Sequence, residues 1–265
     1  MEYDIVSVGN ALVDIQTQVD EAFLKSLGFI KGAMTLSNPK TQTKILKSLP
    51  KGSTKLSSGG SAANTIHGIS VLGGKTFYIG KVADDDYGKH YTNDMQVCGV
   101  GFPKPVIGTQ GTGTSVVLIT PDSQRTMITH LGVSSELDES NIKADIIKTS
   151  RLVYIEGYLW TGERSQTAAI KMANIAQENQ IPVAFTLSDS FVVDEFKDSL
   201  IAFLKDKVDI LFCNEVEALA MANESNSTKA ADRLSAYVET IFFYNPTFLD
   251  NKISKSYLSL YGFLS

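Results

Sequence analysis

The chain reads as an α/β protein, a mostly parallel sheet flanked by helices with a small antiparallel β lid added. Two observations point there. Apolar strand-like runs alternate with helical stretches along most of the sequence, which implies parallel strands joined through helices. One region breaks that rhythm: from Pro103 to His130 there is no helical period, and two β-rich runs flank a turn.

Taken in order, Tyr3, Ile5, Val6 and Val8 form a buried first strand that Gly9 ends. Polar and apolar residues alternate from Leu12 to Val19, the pattern of a second strand. Asp20 is placed to cap a short helix over Glu21–Leu27. Ser37-Asn38-Pro39 opens another, with proline in the first turn, where its missing N–H is tolerated. Ser61 to Leu72 is rich in Ala, Ile and Leu and holds no proline, so it is helical. Thr76–Ile79 is a strand, and Asp84 to Asp86 head a helix running to about Cys98. Gly108, Gly111 and Gly113 then punctuate the β region, where Thr114–Thr120 and Arg125–His130 make a hairpin around Pro121-Asp122-Ser123-Gln124. Strands recur at Leu152–Ile155, Val183–Leu187 and Ile210–Cys213, with helices over Glu163–Asn179 and Asp194–Lys205. The reading divides the chain into one α/β domain over 1–240, with lid strands from about 12–19 and 103–130 inserted, and an aromatic-rich tail over 241–265.

Composition narrows the function. The 265 residues are 43% hydrophobic and carry a net charge of −5. That balance argues for a globular protein and against nucleic acid as a partner, and no Lys/Arg-rich stretch says otherwise. No apolar run is long enough to span a membrane, so the expected location is the cytoplasm. Cys98 and Cys213 lie in apolar contexts without metal-ligand spacing and read as core thiols. His67, His90 and His130 are scattered and receive no role. Asp84-Asp85-Asp86 reads as a helix cap with carboxylates favoured by the dipole, in preference to a metal cluster.

The chemistry concentrates in Ser58-Gly59-Gly60-Ser61-Ala62-Ala63-Asn64. Two glycines running into a helix let a ligand approach the main chain, and the helix start presents N–H donors. Asn64 lies about one turn in, with an amide to offer. The same residues also make an ordinary strand-to-helix turn. Asp14 follows the opening strand, where ligands collect in α/β sheets, and an ionised carboxylate can accept from both hydroxyls of a vicinal diol. As a bland alternative it is a solvated turn residue.

Gly9-Asn10-Ala11-Leu12-Val13-Asp14-Ile15, Gly59 to Asn64, Asp85-Asp86-Tyr87-Gly88 and Asn214-Glu215-Val216-Glu217 occur in this order. Together they resemble the PfkB carbohydrate kinase family, with its ribokinase-like fold, and most nearly its adenosine-kinase-like branch. The resemblance covers roughly Glu2 to Glu239. It implies transfer of the ATP γ-phosphate to a hydroxymethyl group of a nucleoside or sugar, adenosine favoured, with ATP and Mg²⁺ as cofactors. Asn10, Asp14, Gly59, Gly60, Ser61 and Asn64 would hold the ribose, and Arg125 on the hairpin would reach over the substrate or its new phosphate, or remain an exposed cation. Asn214 and Glu217 match the family's Asn-x-x-Glu motif and would organise Mg²⁺ through water, with no direct protein ligand; the same pair is equally a helix capping box. The lid would close over the sugar and could pair two copies of the chain as a homodimer.

One signature of that family is missing. Its Gly-Ala-Gly-Asp loop supplies the catalytic base and an anion hole, yet every glycine but Gly262 lies at or before Gly162. Leu260-Tyr261-Gly262-Phe263 does not resemble the loop. The expectation is a chain that departs from the family pattern near Glu239, is C-terminally incomplete, and is inactive alone with an incomplete ATP site. The alternative is a non-catalytic nucleoside or sugar binder, or an inert truncated fragment. A dinucleotide-dependent oxidoreductase fits poorly, because Gly-x-Gly-x-x-Gly does not follow the first strand.

Overall fold

A computed structural model describes residues 1–106 and 110–244. Gly108 and the tail beyond Tyr244 lie outside the described residues. The elements in chain order are β1 (Ile5–Val8), β2 (Leu12–Gln18), α1 (Glu21–Leu27), β3 (Met34–Leu36), α2 (Pro39–Ser48), β4 (Lys55–Gly59), α3 (Ser61–Val71), β5 (Thr76–Ile79), α4 (Asp86–Val97) and β6 (Val100–Gly101). There follow β7 (Gly113–Ile119), β8 (Arg125–His130), α5 (Ala144–Lys148), β9 (Val153–Glu156), α6 (Glu163–Glu178) and β10 (Val183–Thr186). Last come α7 (Ser190–Lys207), β11 (Ile210–Asn214), α8 (Glu215–Ala222), α9 (Ser227–Leu234) and β12 (Thr240–Tyr244). They fall into two compact units, one of Met1–Gly9, Gly73–Ile79 and the chain from Asp138 on, the other of Asn10–Leu72 and Gly80–Leu137.

In the first unit the strands run in the order β12-β11-β10-β9-β1-β5, and these neighbours pair in parallel. The strands are short and apolar, as both-face burial demands. Trp160, Phe185 and Phe203 pack edge-to-face with centroids 4.7–5.3 Å apart. Chain order reverses at β1, which lies between β9 and β5. Ligands of open α/β sheets bind outside the carboxyl ends of strands at such a point. The sheet continues into the segment set apart above as a tail: Phe242 of β12 stacks on Phe212 of β11 at 4.7 Å. Helix α7 begins a turn earlier than Asp194, capped by Asp189, and Phe196 departs from helical geometry inside it. That interruption hides the helix start from a periodicity argument.

The second unit is a sheet of order β3-β8-β7-β2-β4. The hairpin β7–β8 is antiparallel as expected, but β2 pairs with β7 and β3 with β8 in parallel, so the sheet is mixed. β2 and β7 are far apart in sequence and joined by no hairpin, which frees them to align. β3 and β4 were not expected; one is three residues long, and the other, Lys-Leu-Ser-Ser-Gly, has little β-branched content. Register assigns the faces. Ile15, Val116 and Ile128 share one face, where Val116 and Ile128 join Leu24 of α1 and Ile45 of α2 in a core. Asp14, Ser57, Ser115 and Thr129 share the other.

Both cysteines were expected in the core. Cys213 is buried on β11, but Cys98 is only partly buried at the end of α4. Among the described residues no helix is long and apolar enough to cross a membrane.

Candidate functional site

The second unit gathers one set of predicted residues around the start of α3. Asp14 is buried on β2, opposite Ser57 of β4. A side chain on Gly59 would collide with the Asp14 carboxylate, so only glycine fits there. Gly60 has φ +112°, and a Cβ on it would run into the Asn10 carbonyl oxygen. The glycine pair therefore lets β4 pass close to both predicted residues of the β1–β2 segment. The Tyr91 hydroxyl donates to the Gly59 carbonyl at 3.1 Å and fixes the turn. Asn10 is 5% exposed, and its Oδ1 accepts from the Ser134 hydroxyl at 3.1 Å.

Helix α3 begins without a side-chain cap, because Gly60 has no side chain to give one. The Asn64 N–H donates to the Gly60 carbonyl at 3.0 Å, which closes the first turn. Asn64 itself is exposed and Ser61 half-buried. Hydroxyl and amide groups thus stand at a helix start whose dipole favours electron-rich atoms.

Arg125 donates through Nη2 to Asp14 Oδ2 at 3.1 Å. The two residues lie on one face of the sheet, so the hairpin cation is tied to the buried acid. Burial nevertheless pushes the Asp14 pKa up from 3.8 to about 6, and the Arg125 charge only partly counters it. Asp14 is therefore an anion at neutral pH that has given up water without full compensation. A carboxylate in that state can accept hydrogen bonds from a ligand.

The first unit holds the other predicted pair. Asn214 caps α8 and Glu217 completes a capping box. The Asn214 N–H donates to Glu217 Oε2 at 3.0 Å and its side-chain amide to Oε1 at 2.8 Å, while Glu217 N–H donates to Asn214 Oδ1 at 2.9 Å. Burial, opposed by the Asn214 hydrogen bond and assisted by Asp189, raises the Glu217 pKa from 4.5 to about 7. Asp189 follows the carboxyl end of β10. It is reached through Ser188, whose φ of 72° is strained for a residue with a side chain. The Tyr158 hydroxyl donates to Asp189 at 3.2 Å, and burial together with Asp189, Glu156 and Glu217 holds that phenol protonated. Glu156 ends β9 and is fully buried; a Cβ on Gly9 would sit 2.6 Å from its carboxyl carbon. The carboxyl ends of β9, β10 and β11 thus bring three acids around one tyrosine.

The family described as pfkB family carbohydrate kinase matches residues 40–245. The chain belongs to that family. An adenosine kinase from Sinorhizobium meliloti has a similar structure, with TM-score 0.88 and 37% identity over 93% of this chain and 75% of that one. The adenosine kinase of Saccharomyces cerevisiae is 29% identical over 254 residues, 93% of this chain and 74% of the yeast protein. The guanosine-inosine kinase of Escherichia coli strain K12 is 27% identical over 248 residues, and the chain spans 57% of its length.

In this PfkB chain the structure gathers Asn10, Asp14, Gly59, Gly60, Ser61, Asn64 and Arg125 in one unit, and Asn214 and Glu217 in the other. Sequence reasoning missed Tyr91, Ser134, Glu156, Tyr158 and Asp189. Glu156 had a usable signal, an acid closing the apolar run Val153-Tyr154-Ile155. Tyr91 and Ser134 had none, since a tyrosine in a helix and a serine in a loop are ordinary.

Proposed function

We propose that this chain binds a nucleoside, adenosine first, by its ribose, and that in its family's reaction the ribose hydroxymethyl group receives the γ-phosphoryl group of ATP. The observation that carries the reading is the Asp14–Arg125 pair set against the Gly59-Gly60 turn and the uncapped start of α3. Asp14 would accept from the two ring hydroxyls, and Asn64 and Ser61 would orient the sugar. Arg125, half exposed, would hold the carboxylate in place and close over the ligand. Fixing the ribose fixes the position of its hydroxymethyl oxygen, which is the positioning part of phosphoryl transfer. The names of the relatives support a purine nucleoside over a free sugar.

The residues of the first unit fit Mg²⁺. Glu217, Asp189 and Glu156 offer carboxylate oxygens that would accept from the waters of a hydrated Mg²⁺, and a divalent cation beside them would return Glu217 to its carboxylate form. Asn214 holds both Glu217 oxygens, which suits a carboxylate that orients metal-bound water and does not ligate directly. When bound, MgATP supplies the phosphoryl group and neutralises its developing charge. None of the 265 residues forms a Gly-Ala-Gly-Asp segment, so we infer that this chain by itself binds nucleoside and transfers phosphate negligibly. Loss of a base costs about 10²–10⁴-fold and of an anion hole about 10²–10³-fold. A thermal-shift titration with adenosine, followed by a radiolabelled-ATP transfer assay, tests both parts. A shift without transfer is expected. Transfer at ordinary kinase rates refutes the inactivity, and no shift at millimolar adenosine refutes the binding.

A further inference from the structure

The reaction leaves one cluster of metal-ligating side chains in the second unit unused. His67 lies on α3, one turn past Asn64. Asp94 lies on α4, and Cys98 follows that helix four residues later, with its N–H still donating to the Asp94 carbonyl at 3.2 Å. The four-residue spacing puts Asp94 and Cys98 on one face. A ligand atom from each of His67, Asp94 and Cys98 lies within 4.8 Å of the others, and all three residues are only partly buried. Cys98 Sγ and His67 Nε2 are 2.9 Å apart.

We propose that His67, Asp94 and Cys98 form a three-ligand site for a zinc-class divalent cation that braces α3 to α4. The donor set is one thiolate, one imidazole and one carboxylate. Zn²⁺ takes all three types, whereas Mg²⁺ and Ca²⁺ prefer oxygen alone. Zn–S of about 2.3 Å and Zn–N of about 2.0 Å in a tetrahedron set the two atoms about 3.5 Å apart. The present pair therefore opens by about 0.6 Å when an ion replaces the hydrogen between them. On binding, the Cys98 thiol releases its proton to solvent, His67 binds through Nε2 with its proton on Nδ1, and water fills the fourth position. Thiolate and carboxylate together balance the two positive charges. Support around the ligands is already built: the Ser70 hydroxyl, on the same helix as His67, donates to the Cys98 carbonyl at 2.6 Å. The brace acts on the helix whose first turn carries Ser61 and Asn64, but the site stands independently of the nucleoside reading.

Co²⁺, the spectroscopic stand-in, tests it. Titration into metal-free protein is expected to give one equivalent with a thiolate-to-cobalt charge-transfer band and tetrahedral ligand-field bands. Zn²⁺ should displace it, and excess Mg²⁺ should not. C98S should lose the charge-transfer band, and H67Q and D94N should bind at least the roughly 10–100-fold more weakly that loss of a mere supporting partner causes. C213A should behave as wild type, because that thiol is buried elsewhere. Zn²⁺ should also protect Cys98 of the unaltered protein from alkylation, a readout that needs no variant. Absence of the band and of protection, or equal binding by C98S, overturns the proposal.

Discussion

Asp14 concentrates the argument at the scale of single residues. Its carboxyl is raised to about 6 chiefly by burial, so the folded protein favours the protonated form between about pH 4 and 6. Its contribution to stability is complete below 3.8, the ordinary value, and is lost as pH rises through about 6. Binding runs the other way, since only the carboxylate accepts from both hydroxyls. Adenosine affinity should therefore fall as pH drops through about 6, and D14N should bind weakly with no such dependence; calorimetric titration across pH measures both. Glu217 gives a second titration. With its pKa at about 7 against an ordinary 4.5, its contribution to stability is lost as pH rises through neutrality. The melting temperature of E217Q should gain on wild type between about pH 5 and pH 8, and Mg²⁺ should restore the wild type alone. A constant difference between the two proteins would remove Glu217 from the Mg²⁺ reading. Asp14, Asn64 and Arg125 could be proposed from the sequence because each sits at a motif or a turn. The Asp14–Arg125 pairing could not, because it depends on the register of two strands 111 residues apart.

Among the elements, the proposed nucleoside site rests on α3 and the turn before it. The glycine pair was readable as a place needing a special backbone, though not which neighbour required it. The structure supplies the reason: Asp14 and Asn10 occupy the space a side chain would take. G60A should cost roughly 1–3 kcal/mol, from a disfavoured φ and a collision with the Asn10 carbonyl, and should weaken adenosine binding more than about tenfold. G73A is the matched control. Gly73 also has positive φ, at 95°, but nothing stands within 4 Å of an added Cβ. It should lower the melting temperature and leave affinity intact. Equal loss of binding in both variants would mean that general destabilisation, and not the shape of the turn, controls the site. The Asn214–Glu217 pair folds as a capping box, and the proposed Mg²⁺ role would draw on the same two residues. Sequence alone could not separate those roles because both use the same three-residue spacing.

For the whole molecule, strand–helix alternation exposed the parallel sheet, and the missing helical period exposed the hairpin. The short strands β3 and β4 escaped, because few residues and weak β propensity leave no periodic signal. The sequence reading inserted lid strands at about 12–19 and 103–130 into one α/β domain, and both stretches lie in the second unit. The chain passes between the two units after Gly9, Leu72, Ile79 and Leu137, so neither unit is continuous in sequence. What joins these facts into a function is the claim that the second unit grips a ribose by its two ring hydroxyls. Calorimetric comparison of adenosine with 2′,3′-dideoxyadenosine, on wild type and D14N, tests that claim directly. Wild type should prefer adenosine by about a hundredfold or more, and D14N should lose most of that preference. Equal affinity of the unaltered protein for the two compounds would contradict it.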